Sequence, residues 1–308
     1  MTQKSAVTGA FGYTGKYIAR RLLAQGQQVI TLTSRPERSL PEFAGKISAF
    51  PFNFEQPDQL CASLEGVDTL YNTYWVRFDH GSATFERAVE RTRSLLRAAR
   101  EAGVRRIVHV SITNPSLASP LPYFRGKAQL EEAVRASGLS YTILRPTVIY
   151  GAEDILINNI AWLLRRFPLF AVPGSGAYRL QPIYVEDMAE LAVRAGAEAC
   201  DQVIDAVGPQ IFTFDQLLDT ISTCLGCHAL RVHLPAGLTL ALSGLIGLAL
   251  GDVVLTRDEI AGLSAGLLVS QAAPTGWTRL EDWLAHNRAT VGLHYASELK
   301  RHYRPGGK

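Results

Sequence analysis

Ser5-Ala6-Val7-Thr8-Gly9-Ala10-Phe11-Gly12-Tyr13-Thr14-Gly15 decides the fold of this chain. A short buried-strand pattern runs straight into three glycines spaced GxxGxxG. A helical pattern follows, with Ile18, Leu22 and Leu23 on one face. The chemistry asks for glycine because the chain must turn sharply, bring its backbone close to a pyrophosphate, and let the next helix pack tightly on the strand. The free N–H groups and positive dipole end of that helix then face the phosphates. At the first strand–helix junction the pattern reads as a dinucleotide-binding turn, with Gly9, Phe11, Gly12, Tyr13, Thr14 and Gly15 as its predicted contacts.

Outward from the turn, strand and helix patterns alternate. Strands are expected at 5–8, 29–33, 47–50, 68–71, 106–110 and 141–144, with helices at 12–25, 60–64, 83–102 and 127–137 between them. Strands separated by helices pair in parallel through right-handed crossovers, so the fold class is α/β, a Rossmann doubly wound parallel sheet. After Pro146 the pattern loosens, with a Gly174-Ser175-Gly176 loop, a helix at 185–195, a strand at 203–206 and a largely helical remainder from Asp215. The expected division is a dinucleotide-binding core at 1–150, completed by about 183–207. A smaller, mostly helical C-terminal subdomain takes 151–182 and 208–308. Trp162, Phe167 and Phe170 are expected in the subdomain core.

The second strand separates the two nicotinamide dinucleotides. An acidic residue about 20 positions past the glycines would hold a ribose 2′-OH. Thr33-Ser34-Arg35 stands there instead, with no carboxylate before Glu37. A guanidinium fork suits a 2′-phosphate, so Ser34 and Arg35 favour NADP(H) over NAD(H).

Tyr123-Phe124-Arg125-Gly126-Lys127 places a tyrosine and a lysine one helical turn apart, 12 residues after Ser111 at the end of the fifth strand. A nearby ammonium lowers a phenol's pKa, and the phenol can then exchange the proton that accompanies hydride transfer at a carbonyl. Tyr123 is the predicted acid/base, Lys127 its activator and Ser111 the partner of the substrate oxygen. Trp75, Arg77 and His80, after the fourth strand, read equally as packed loop residues or substrate contacts.

With the glycine turn, Asn72-Thr73-Tyr74-Trp75, Tyr123 with Lys127, Leu144-Arg145-Pro146 and Tyr184-Val185-Glu186-Asp187-Met188-Ala189 in view, the chain resembles the short-chain dehydrogenase/reductase superfamily. The likeness is strongest to its atypical, extended branch, which holds NmrA-like proteins, nucleoside-diphosphate-sugar epimerases and the nucleotide-binding accessory subunit of respiratory complex I. The resemblance implies an NADP(H)-binding oxidoreductase or epimerase-like enzyme acting on a carbonyl or hydroxyl of a small molecule. The alternative it implies is a non-catalytic NADPH-binding sensor or assembly protein. It further implies Asn53 and Phe54 near the adenine, Thr73 beside the ribose, Tyr74 and Lys127 also at the cofactor, and Pro146, Thr147 and Val148 along the nicotinamide. Asp187 resembles a structural acid at a helix start. The chain departs from the shorter members in lacking an asparagine on the 83–102 helix, and Thr113 can stand in for Ser111.

Apolar residues make up 47% and charged residues 19% of 308, values of a folded globular chain. A net charge of +3, evenly spread, gives no reason to expect nucleic acid. Four cysteines are too few for a disulfide framework, and the N-terminus has no secretory pattern, so a cytoplasmic location is expected. The expected oligomeric state is monomer or homodimer. Cys224-Leu225-Gly226-Cys227-His228 spells a haem-attachment sequence, but it falls in an apolar helix in a chain with no export signal. Neither haem nor metal is expected there. Residues 234–251 carry no charge, yet their glycines and Pro235 make a buried or partner-facing helix the expectation rather than a membrane span.

Overall fold

The computed structural model describes residues 3–303, which divide into two compact units, 3–146 with 185–206 and 147–184 with 207–303. The first unit begins with β1 (Lys4–Thr8), α1 (Thr14–Ala24), β2 (Gln28–Thr33), β3 (Ile47–Pro51), α2 (Pro57–Ser63) and β4 (Thr69–Asn72). It continues through α3 (Phe85–Glu101), β5 (Arg106–Val110), α4 (Pro122–Arg135) and β6 (Ser140–Pro146). The chain then leaves for β7 (Ile149–Tyr150), α5 (Leu156–Arg166), β8 (Leu169–Pro173), β9 (Arg179–Leu180) and β10 (Ile183–Tyr184). It returns to the first unit for α6 (Val185–Ala197) and β11 (Gln202–Ala206).

Seven strands pair in parallel in the order β11-β6-β5-β4-β1-β2-β3. Both faces of such a sheet are covered, so β1, β2 and β5 are buried along nearly their whole length. On one face Ala6, Ile30, Leu32, Leu70, Ile107 and Ile143 pack against Leu60, Leu95, Leu96 and Val134 of the helices. On the other, α1 lies against α6, tied by Arg21 to Glu186 and Glu190 at 3.2 and 3.1 Å. Arg106 is fully buried in β5, and its guanidinium is satisfied by Ala195 O (2.8 Å), Thr142 Oγ1 (2.6 Å) and Cys200 O (3.1 Å). The strand order reverses between β1 and β4, so their C-terminal ends border the crevice where open α/β sheets bind ligands.

Helix α4 starts at Pro122, five residues before its sequence reading. Proline suits a first helical turn, where its missing N–H has no intrahelical partner in any case. The earlier start puts Tyr123 on the same helix as Lys127.

The second unit has its own core, in which Tyr150, Ile160, Phe170, Leu217, Ile221, Trp283 and Leu284 meet. Its remaining elements are β12 (Phe212–Thr213), α7 (Phe214–Leu225), β13 (Leu230–Leu234), α8 (Ala236–Leu250), α9 (Arg257–Ser264) and α10 (Leu280–Asn287), followed by a π-helical turn at Leu299–Tyr303. Two sequence expectations change here. The remainder after Asp215 is not wholly helical, because β13 pairs in parallel with β8. Phe170 is a core residue, but Phe167 is 43% exposed at the end of α5. Helix α8 buries Thr239, Ser243 and Gly247 and turns its leucines outward, so its apolar side is not the buried one. No helix among the described residues is long and apolar enough to cross a membrane.

Candidate functional site

The glycine turn is held at the C-terminal end of β1 by backbone hydrogen bonds. Gly9 N donates to Leu32 O (2.8 Å), Ala10 N to Thr31 Oγ1 (3.0 Å) and Gly12 N to Gly9 O (2.8 Å). Gly9 sits at φ 69°, a left-handed conformation that costs glycine nothing. A Cβ on Gly15 would stand 2.4 Å from Gly9 O, so the close packing of α1 on β1 requires its absence. The start of α1 has no side-chain cap and no acidic residue in its first turn. Uncapped N–H groups, a positive helix end and a backbone cradle that a side chain would fill are the features a pyrophosphate requires, and this site fits the group.

The ends of β1 and β4 are stitched together at the bottom of the crevice. Thr8 Oγ1 accepts from Thr73 N (2.7 Å) and Tyr74 N (3.1 Å), while Thr73 Oγ1 donates to Thr8 O (2.6 Å). At the end of β2, Arg35 is half-buried, its backbone N–H received by Thr33 Oγ1 at 3.2 Å. Its guanidinium makes no ion pair among the described residues. Ser34 beside it is exposed. At the end of β3, Asn53 takes φ 42° and donates to Gln59 Oε1 (3.1 Å). Phe54 stacks on Phe52 (4.8 Å), packs on Tyr74 (5.2 Å) and lies under the Arg91 guanidinium (5.3 Å).

Helix α4 carries the charged part of the site. Lys127 is 3% exposed, donates from Nζ to Val110 O (2.8 Å) and stands 4.7 Å from the centre of the Trp75 ring. Burial pushes its amine down to about 7, with the carboxylate of Glu131 pulling the other way. Tyr123, one turn earlier and half-buried, meets Trp75 and Phe85 edge-on, each at 5.8 Å. Trp75 rests on the helix because residue 126 is glycine: a Cβ there would come within 2.8 Å of the indole. Trp75 therefore belongs to the Tyr123–Lys127 cluster. Thr147 is buried with its hydroxyl on Gln181 O, and Val148 packs on the second unit's core.

Ser111 sits beside this helix, with its hydroxyl donating to Glu131 Oε1 at 2.7 Å. Glu131, 2% exposed, also receives Arg145 at both oxygens (2.8 and 2.6 Å) and Arg135 at 3.1 Å. Burial alone would raise its carboxyl. Hydrogen bonds from Arg145 and Ser111, with the charges of Arg145 and Arg135, outweigh it and hold the group below the usual carboxylate range. In this arrangement Ser111 gives its proton inward and keeps its lone pairs for an incoming donor. Thr113 is fully buried and donates to Pro146 O at 3.4 Å. Sequence reasoning passed over Glu131, although its spacing of eight from Tyr123 and four from Lys127 puts it on the same helical stripe.

Residues 9–156 match a family of domains described as NAD(P)H-binding. The chain is 26% identical to a mouse protein named NADH dehydrogenase [ubiquinone] 1 alpha subcomplex subunit 9, mitochondrial, over 97% of this chain and 80% of that one. The Arabidopsis thaliana protein of the same name is 25% identical, over 87% and 71%. Among solved structures, a Citrobacter sp. triphenylmethane reductase superposes with TM-score 0.78 at 19% identity, over 93% of this chain and 99% of that one. An NADPH-dependent quinone oxidoreductase of Escherichia coli superposes at 0.75 and 23%, over 92% and 99%. The fold of this chain is thus that of NAD(P)-binding reductases and epimerases.

Cys224 and Cys227 flank the left-handed Gly226 that ends α7, and both pack against the second unit's core. Burial raises both thiols above their ordinary value, which works against thiolate chemistry. No group of His, Cys, Asp or Glu among the described residues is placed to hold a metal ion.

Proposed function

We propose that the chain is an NADP(H)-dependent oxidoreductase acting on the carbonyl or hydroxyl of a small molecule. The observation that carries this reading is the buried lysine, one helical turn from Tyr123 at the open edge of a dinucleotide site. Burying an amine costs several kcal/mol, and setting it one helical turn from a phenol supports acid/base chemistry beside the cofactor contact that the resemblance gives Lys127. Bound NADP(H) supplies or accepts the hydride. Tyr123 then passes its hydroxyl proton to the substrate oxygen during reduction, or takes it during oxidation. Lys127 stabilises the phenolate, and an amine that titrates near neutrality can replace the proton Tyr123 has lost. Trp75 and Phe85 flank the phenol and keep water from that side.

Arg35 supports NADP(H) within this reading, because a half-buried guanidinium with no carboxylate partner suits a 2′-phosphate. A second reading, a nucleotide-binding protein that assembles with others, is favoured by the inward hydrogen bond of Ser111, which leaves a substrate oxygen one donor short. The names of the mouse and Arabidopsis relatives, each a subunit of an NADH dehydrogenase alpha subcomplex, point the same way.

NADPH oxidation against a naphthoquinone and a triphenylmethane dye, the substrate classes named for the two structural neighbours, separates the readings. Tyr123→Phe is expected to lower the rate by about 10²–10⁴ with NADPH affinity unchanged. No Tyr123-dependent oxidation with any such acceptor leaves the assembly reading standing. Arg35→Ala is expected to weaken NADPH at least about tenfold more than NADH in direct titration, a difference of about 1.4 kcal/mol. An equal loss for both removes the 2′-phosphate assignment.

A further inference from the structure

A single exposed leucine is ordinary on a protein surface, but helix α8 carries four. Leu238, Leu242, Leu245 and Leu248 are between 38% and 81% exposed. Steps of four, three and three residues keep them on one side of the helix. Every other exposed residue of α8 is alanine or glycine, and no charge stands from Leu234 to Gly251. A surface helix ordinarily turns polar residues to water, so a continuous apolar strip marks a face that meets something less polar.

The groups joined to the end of this helix point to the occupant. Asp252, just past α8, receives the backbone N–H groups of Glu298 and Leu299 and the hydroxyl of Tyr295, each at 2.9 Å. Tyr295 meets the Trp162 ring at 5.4 Å, and Trp162 meets the exposed Phe167 at 5.8 Å. The Arg166 guanidinium lies 5.3 Å from the centre of the Trp162 ring. The leucine strip thus runs into three aromatic rings and a collar of cations.

Nothing neutralises that collar. Arg165 donates to Val291 O and Arg288 O (3.0 and 2.6 Å), Arg166 to Leu293 O (3.2 Å) and Arg301 to Glu153 O (2.7 Å), while Lys300 is exposed. A carbonyl fixes a guanidinium without cancelling its charge, and no carboxylate pairs with any of these four cations among the described residues. Residues 162–173 hold no acid, and the one acid of 288–303, Glu298, is buried. From 299 to 308 the sequence holds Lys300, Arg301, Arg304 and Lys308 and no Asp or Glu.

An uncharged apolar strip beside an uncompensated cationic collar matches a bilayer with anionic headgroups. Leucines reach the acyl boundary, Trp and Tyr rings sit at headgroup level, and Lys and Arg meet the phosphates. A second copy of the chain matches less well. An isologous contact puts the same patch on both sides, and this patch has no exposed carboxylate to meet the collar. At 15 residues α8 is too short to span a bilayer, so it would lie along the surface. We propose that the leucine face of α8, with the collar at Arg166 and Lys300, is a docking surface for an anionic membrane. This docking does not rest on the oxidoreductase reading and holds equally for a chain that only binds nucleotide.

Co-sedimentation of the full chain with lipid vesicles tests it. Binding is expected to vesicles of phosphatidylcholine and phosphatidylglycerol in equal parts. Binding to phosphatidylcholine alone is expected to be at least about tenfold weaker, a difference that shrinks as salt is raised. Leu245→Ser combined with Leu248→Ser is expected to lower partitioning into the mixed vesicles at least about tenfold, with thermal unfolding in the absence of lipid unchanged. Arg166→Gln combined with Lys300→Gln is expected to lower it by about tenfold. Failure to bind the mixed vesicles, equal binding to both kinds, or binding that the leucine pair leaves unmoved overturns the proposal. A dimer in sedimentation velocity that the leucine pair dissociates also overturns it, because the face then belongs to a second copy. If the leucine pair does not fold, the two vesicle types and the Arg166/Lys300 pair decide the matter, since neither alters α8.

Discussion

Helices α4 and α8 both depart from the usual rule for which side of a helix is buried, and in opposite directions. α4 takes Lys127 and Glu131 into the interior, while α8 turns small residues inward and leaves Leu245 and Leu248 65% and 81% exposed. The two departures have different costs. A buried charge loses its hydration and is tolerated only where partners replace it, so α4 reads as a place where chemistry has claimed the interior. An exposed leucine loses nothing relative to the unfolded chain, and most protein surfaces are over half apolar. What α8 gains is a close approach, its Gly247 lying against the chain at Asp252. Polarity alone assigns neither face. The informative question is what each inward atom touches.

Glu131→Gln should give the largest effect on the α4 side of this comparison. The carboxylate receives Ser111, Arg135 and both ends of the Arg145 fork. A carboxamide keeps one oxygen and turns an NH₂ group against a guanidinium. Breaking a buried pair costs about 3–5 kcal/mol, and the lower end applies because Arg145 and Arg135 keep 27% and 34% of their surface in water. Urea unfolding is expected to show a loss of about 3 kcal/mol. A loss under about 1 kcal/mol would place the network among ordinary surface ion pairs and remove the contrast with α8.

The same contrast explains what the sequence makes legible. β5 is read at 106–110, where the structure has it, because Ile107, Val108 and Val110 supply the β-branched positions of a strand buried on both faces. Tyr123 and Lys127 declare themselves by spacing, since both lie on one helix, and Glu131 was readable on the same stripe. The buried hydrogen bond between Asn72 and His109 was not, because the two are 37 residues apart and only strand register brings them together. In the second unit, β7, β9, β10 and β12 are two residues each, too short for any periodicity. β13 did carry a signal, with Leu230, Val232 and Leu234 alternating with Arg231 and His233. Helix α8 is apolar all round, so its pattern had no face to report.

Gly247→Ala tests the inward side of α8. The added Cβ would lie 2.6 Å from the carbonyl oxygen of Asp252, a backbone atom that cannot swing away as a side chain would. Overpacking of this kind costs about 1–3 kcal/mol, and the better helix propensity of alanine returns up to about 1. A net loss of about 1–2 kcal/mol is expected in thermal or urea unfolding.

Leu248→Ala, the next residue on the same helix, is expected to change stability by no more than about 0.5 kcal/mol. Its side chain is 81% exposed, so removing three carbons opens no cavity and forfeits little buried area. The pair of variants is more decisive than either alone, because helix, position and measurement are shared and only the direction of the side chain differs. If Leu248→Ala costs as much as Gly247→Ala, and the cost grows with protein concentration, the leucine face is covered in solution by another copy of the chain. The reading of α8 as a helix that packs only by its small side would then fail. If the cost is equally large but independent of concentration, Leu248 packs within the chain itself, and the exposure on which the contrast with α4 depends is wrong.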